Sequence, residues 1–218
     1  MLFAASGQPT LNGNAAFDPG IEPAAPESSA PALPAVPSPL IEKDKVLGTA
    51  YYDTLSILGT ANACSAFFGG PEASVPVFNK LVGQMRKQSF APSLGIRMSG
   101  ETVNFLNAQT NKEYRLFDRV TINEQGPFYR KRFSFDRPKL GGIGSFEADT
   151  KEVRVLMFLH ELGHLIKGQD GKWLLPDDGQ SAETSRSNSE KIEEVCKEQI
   201  RNVGKEKAAI THAEKLNE

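Results

Sequence analysis

The sequence predicts an α+β fold in which a small antiparallel sheet packs against one long apolar helix and a C-terminal helix. Three observations carry that reading. Residues 153–166, VRVLMFLHELGHLI, are apolar around most of a helical circumference and lie between capping residues. Residues 94–136 break into short runs rich in β-branched and aromatic residues, separated by turn formers. Residues 188–203 put Asn188, Ile192, Val195, Cys196, Gln199, Ile200 and Val203 on one face at helical spacing.

The chain has 218 residues, 39% of them hydrophobic and 24% charged, which suits one core of ordinary size plus tails. With 25 basic against 27 acidic residues, the net charge of −2 offers no footprint for nucleic acid. No apolar run approaches the ~18 residues of a spanning helix. Specificity must therefore come from a local site.

Taken in order, the first segment reads as a Pro/Ala-rich leader or linker over residues 1–44, with a folded domain over 45–218. The opening MLFAASGQPT is similar to the end of a secretory signal whose charged front is missing, which predicts an extracytoplasmic protein. IEPAAPESSAPALPAVPSPL has no helical or strand period and too little apolar surface to offset ordering entropy, so disorder is expected. VLGTAYYDTLSIL (46–58) reads as a first strand by composition, and NACSAFFGGPE as turn-prone.

SVPVFNKLVGQMRKQ (74–88) reads as a helix, with Pro76 in its first turn and Val77, Phe78, Leu81, Val82 and Met85 on one face. GIRMSG, TVNFLNAQTNKEYRLF and RVTINEQGPFYRKRFSF then read as antiparallel strands connected at QTNK and NEQGP. Asp149 and Glu152 fit a capping box, and Gly168 suits the residue after a helix end, giving a helix of about 18 residues, or roughly 27 Å at ~1.5 Å per residue. A second box, Ser187 to Glu190, starts the C-terminal helix, where Glu193 and Glu194 read as solvated charges and Asn188 points inward.

Burial of the 150–167 helix makes its polar residues informative. His160 and His164 stand one turn apart on one face and can present two ring nitrogens to a single ion, at the ~2.0–2.1 Å that zinc requires. Glu161 lies beside that point and fits a general base rather than a ligand, while Gly163 lets another segment approach closely. The competing reading is a pair of hydrogen-bonded core histidines, but it leaves a buried glutamate without purpose.

The run His160-Glu161-Leu162-Gly163-His164 resembles the zincin metallopeptidases, whose shared part is an HExxH helix beneath a small sheet. The likeness covers the motif helix and the strands before it, a minority of the chain. It implies zinc ligands at His160 and His164, with Glu161 moving a proton from the attacking water to the leaving group. HELGHLIKG followed by LLPDDG and an N-x-x-x-I-x-x-x-C helix also resembles bacterial HExxH proteins predicted to be secreted, a likeness that brings no substrate with it.

A catalytic zinc needs a third protein ligand and an open position. His212 lies in a charged C-terminal stretch and is set aside, leaving carboxylates. Asp170 has the metzincin offset, but Lys167 stands where that group has glycine. Glu183 has a gluzincin spacing but falls in the poor helix former QSAETSRSNS. Asp177 and Asp178, in a Pro/Gly-bounded turn anchored by Trp173, Leu174 and Leu175, can fold back over the helix, and aspzincins show that two histidines and an aspartate suffice. The order of preference is Asp178, Asp177, Asp170, Glu183.

The expectation is a zinc-dependent hydrolase acting on peptide or protein substrates, with Tyr129, Tyr114 and Arg130 available as oxyanion donors. The rival is a non-catalytic metal-binding or protein-interaction module that retains the helix. Cys64 and Cys196 are the two cysteines, and export predicts that they form a disulfide.

Overall fold

A computed structural model describes residues 39–91, 95–108, 110–131, 143–179, 181–203 and 205. The leader as far as residue 38 and His212 lie outside the described residues. The elements are α1 (Pro39–Lys43), α2 (Lys45–Leu58), α3 (Ala63–Phe67), α4 (Pro71–Gln84), β1 (Met85–Gln88), β2 (Ile96–Asn107), β3 (Lys112–Asn123), α5 (Lys151–Gly163) and α6 (Ala182–Asn202). The class is α+β as expected, but the sheet is mixed.

The folded part begins earlier than residue 45. Ile41 of α1 is buried in the core, and Asp44 caps α2 by accepting from the Val46 and Leu47 amides, so residues 39–44 belong to the domain rather than to the leader. The strand expected over 46–58 is helix α2. Leu47, Ala50, Tyr51, Thr54, Ile57 and Leu58 are buried at helical spacing, and this period outweighs the β-branched composition. A Cβ on Gly48 would stand 2.7 Å from the Ile41 carbonyl oxygen, so glycine permits the tight α1–α2 approach.

Helix α4 starts at Pro71, so Pro76 sits in its interior instead of its first turn. Proline has no N–H to offer the carbonyl one turn back, that of Glu72. The Asn107 side-chain amide donates to that oxygen at 3.1 Å and satisfies it from the sheet. The chain then leaves the helix at Met85, which is buried, to form β1 rather than continuing helical to Gln88.

The strand order is β1-β3-β2. β2 and β3 form the expected antiparallel pair, with a register shift between Ser99 and Thr102. β1 pairs in parallel with only the far end of β3, Met85 opposite Val120. The near end of β3 is therefore left with free backbone groups on that side, which must find partners.

Those groups set where α5 stops. Thr150, one residue after the expected Asp149, caps the helix by accepting from the Val153 amide. The helix runs through Val153, Leu156, Phe158, Leu159 and Leu162, all buried, and ends at Gly163 with His164 as its cap. Instead of continuing to Gly168, residues 165–167 lie against β3: the Arg115 amide donates to the Leu165 carbonyl (2.9 Å) and the Lys167 amide to the Glu113 carbonyl (3.2 Å). The aromatic centre of the core joins α2, α4, α5 and the turn after β3, with Phe158 5.4 Å from both Phe78 and Phe128, ring centre to ring centre.

Helix α6 begins at Ala182 under a Ser181 cap, a turn and a half before the expected box. Cys64 and Cys196 form a disulfide joining α3 to α6 across 132 residues. Glu193 is not solvated: it is buried and accepts from the Ser145 amide (2.8 Å) and hydroxyl, with Lys197 2.7 Å away. Burial opposes its ionisation, but Lys197 and Ser145 outweigh that and hold its carboxyl below the usual glutamate range.

Candidate metal centre

Because residues four apart share a helix face, α5 brings the His160 and His164 rings to 4.9 Å between centres, both almost wholly buried. The LLPDDG segment folds back over them. It is held by the Leu174 amide on the Ile166 carbonyl (3.0 Å), the Leu175 amide on the Gly163 carbonyl (3.0 Å), and two donors from α6: Asn188 to the Pro176 carbonyl (3.0 Å) and Lys191 to the Leu174 carbonyl (2.8 Å). Gly163 is required here, since a Cβ on it would lie 2.6 Å from Leu175 Cδ1.

This fold-back sorts the four carboxylate candidates. Asp178 Oδ2 lies 3.1 Å from His160 Nε2 and 3.8 Å from His164 Nε2. His160, His164 and Asp178 thus make a group that could hold a metal ion, each offering one ligand atom within 4.8 Å of the others. Asp177 points away from the histidines and pairs with Arg115. Asp170 is exposed and accepts from the Lys172 amide in its own turn (3.1 Å), and Glu183 is exposed in the first turn of α6.

His160 Nδ1 lies 2.9 Å from the Ser189 hydroxyl, which also reaches the Ser185 carbonyl (3.0 Å) and can accept from Nδ1–H while donating to Ser185. His160 Nε2 lies 3.1 Å from Asp178 Oδ2, a contact that a shared proton or a bound cation satisfies. His164 sharpens the point: both its ring nitrogens are buried without a hydrogen-bond partner among the described residues. Neither sequence spacing nor composition singled out Ser189. Its one signal was its place three residues before the buried Ile192 and seven before the buried Cys196.

The electrostatics favour the metal-ready protonation states. Burial, and then the His160 charge, push the His164 pKa down to about 4, so its ring is neutral at physiological pH. Burial opposes ionisation of Asp178, but the His160 hydrogen bond, the imidazole charges and the Ser185 hydroxyl together hold its carboxyl below the usual range. Glu161 is half-buried and has no hydrogen-bond partner among the described residues; burial, and the Asp178 carboxylate against an opposing His160, raise it to about 7. Of the oxyanion donors considered, Tyr129 gives its hydroxyl to Asp44 (2.8 Å), and the Tyr114 ring is buried against Phe105.

Two imidazoles and one carboxylate are a donor set that could hold a divalent metal ion. No protein-family profile, no curated protein and no solved structure matches this chain.

Proposed function

We propose that the protein is an extracytoplasmic zinc-dependent hydrolase of peptide bonds, with His160, His164 and Asp178 as ligands and Glu161 as general base. The observation that carries it is the convergence on one point of His160 Nε2, a buried and unpartnered His164 Nε2 and the Asp178 carboxylate. A buried histidine serving structure alone would be hydrogen-bonded, and His164 has no such partner among the described residues.

Zinc held there would supply a Lewis acid for the scissile carbonyl and for a water nucleophile. The chain's own residues do the rest. Ser189 fixes the His160 ring by taking its Nδ1 hydrogen, the kind of supporting contact that orients metal-binding imidazoles. Glu161, raised toward neutral pH and unbonded, is suited to take a proton from the attacking water and return it to the leaving amine. The Cys64–Cys196 disulfide supports an oxidising compartment, and no helix among the described residues is long and apolar enough to cross a membrane.

The test is zinc content after mild purification, together with hydrolysis of casein and of a fluorogenic peptide library. One zinc per chain is expected, and Glu161→Gln should keep the metal while losing about 10²–10⁴-fold in turnover. Absence of stoichiometric zinc, or hydrolysis indifferent to Glu161→Gln, overturns the proposal.

A further inference from the structure

We propose that Arg115 is the positioning residue of this metal centre, its guanidinium holding the Asp177–Asp178 turn at the separation from His164 that an ion requires. The inference rests on the metal reading above and adds a residue that no motif contains. Arg115 stands on β3, outside both the histidine helix and the aspartate turn, and its side chain is only 8% exposed. Its Nε–H donates to the carbonyl of His164 itself at 2.8 Å. One terminal nitrogen donates to Asp177 Oδ2 at 3.2 Å and the other to Asp177 Oδ1. Its backbone amide holds the Leu165 carbonyl. One rigid fork thus fixes a ligand on one side and the immediate neighbour of a ligand on the other.

The residue is itself locked. The guanidinium carbon lies 4.3 Å from the Trp173 ring centre and 5.2 Å from that of Phe117, so the fork has little freedom to turn. Asp177, by contrast, is 62% exposed. An ion pair with so exposed a partner adds little to stability. What it adds is direction: with Asp177 drawn toward β3, Asp178 is the carboxylate left facing α5. Lysine cannot replace the fork, because one ammonium cannot serve the His164 carbonyl and both Asp177 oxygens in that fixed plane.

A purely structural stitch between β3 and residues 165–167 is available for contrast in the Lys167–Glu113 pair, 2.7 Å apart, which touches no ligand. Zinc dissociation constants by competition with a chromophoric chelator, and visible absorption of the Co2+-loaded protein, are measured for wild type, Asp177→Ala, Arg115→Lys and Glu113→Gln. Melting of each metal-free protein serves as the fold readout. Asp177→Ala is expected to weaken zinc by about 10–100-fold and to alter the cobalt spectrum while the metal-free melting temperature holds. Arg115→Lys should do the same, the double variant should be no weaker than the weaker single, and Glu113→Gln should bind as wild type. If Arg115→Lys does not fold, Asp177→Ala decides alone. Wild-type zinc affinity in Asp177→Ala, or equal weakening in Glu113→Gln, overturns the positioning role. A wild type that takes up neither zinc nor cobalt overturns the metal reading itself, an outcome distinct from either.

Discussion

The two halves of the candidate metal centre are held in unlike ways. His160 and His164 ride a helix whose other side chains are sunk in the core, with Phe158 between Phe78 and Phe128. Asp178 hangs on a largely exposed turn anchored by one fully buried side chain, Leu175, and otherwise fixed by separate polar contacts to α5, α6 and β3. Packing holds the first half, and hydrogen bonds with a single buried leucine hold the second. The difference teaches that the histidines should survive changes that free the aspartate, and that metal affinity and fold stability should answer to different residues.

The largest expected effect tests the packed half. Phe158→Ala should cost about 3–5 kcal/mol of stability, the usual toll for emptying an aromatic site in a core, read by urea denaturation of the metal-free protein. A loss under about 1 kcal/mol would mean that the helix is not held by packing.

Next comes pH dependence, which also belongs to the helix half. Glu161 has a folded pKa near 7 against an ordinary value of 4.5, so the folded state binds its proton more tightly. Its contribution is full below about pH 4.5 and is lost as pH rises through 7. His164, lowered to about 4 from 6.5, works oppositely: it binds its proton more readily unfolded, so stability falls as pH drops from 6.5 toward 4. The two offset one another where they overlap, and removing one exposes the other. Metal-free Glu161→Gln should therefore gain on wild type by about 1–2 kcal/mol between pH 5 and pH 8 after allowance for solvent screening, seen in paired thermal melts. An unchanged gap would show that Glu161 is not desolvated.

The smallest effect on stability belongs to the loop half. Asn188→Ala removes the donor to the Pro176 carbonyl, which is exposed enough for water to replace it, and should cost about 0.5–1.5 kcal/mol. Zinc should nevertheless dissociate faster than from wild type in a stopped-flow chelator assay. If stability falls as far as in Phe158→Ala, or zinc release is unchanged, the contrast between the halves fails.

The same division explains what the sequence disclosed. The histidine helix is written in local pattern, a cap, an apolar circumference and a four-residue spacing, and Asp178 stood first among four candidates because a Pro/Gly-bounded turn can fold back. The Cys64–Cys196 pairing was also legible, since there were only two cysteines to pair. What stayed hidden was set at long range. α5 stops four residues short of its expected end because β1 covers only part of β3 and residues 165–167 complete the edge. Glu193 looked solvated until Ser145, 48 residues away, met it. Ser189 and Arg115 belong to no motif, and their roles appear only when α6 and β3 are set against the histidines. Helix α2 differs from its expected strand for another reason: its aromatic and β-branched composition favours a strand, while its apolar residues recur at a helical period.

The disulfide between Cys64 and Cys196 closes a circuit of chain that contains every residue named at the centre, from Arg115 on β3 to Ser189 on α6. Among proteases, where surface loops are at risk, that circuit has a practical meaning. A single cut anywhere between the two cysteines yields two fragments that still travel as one molecule, with both histidines and the aspartate aboard, until a reductant separates them.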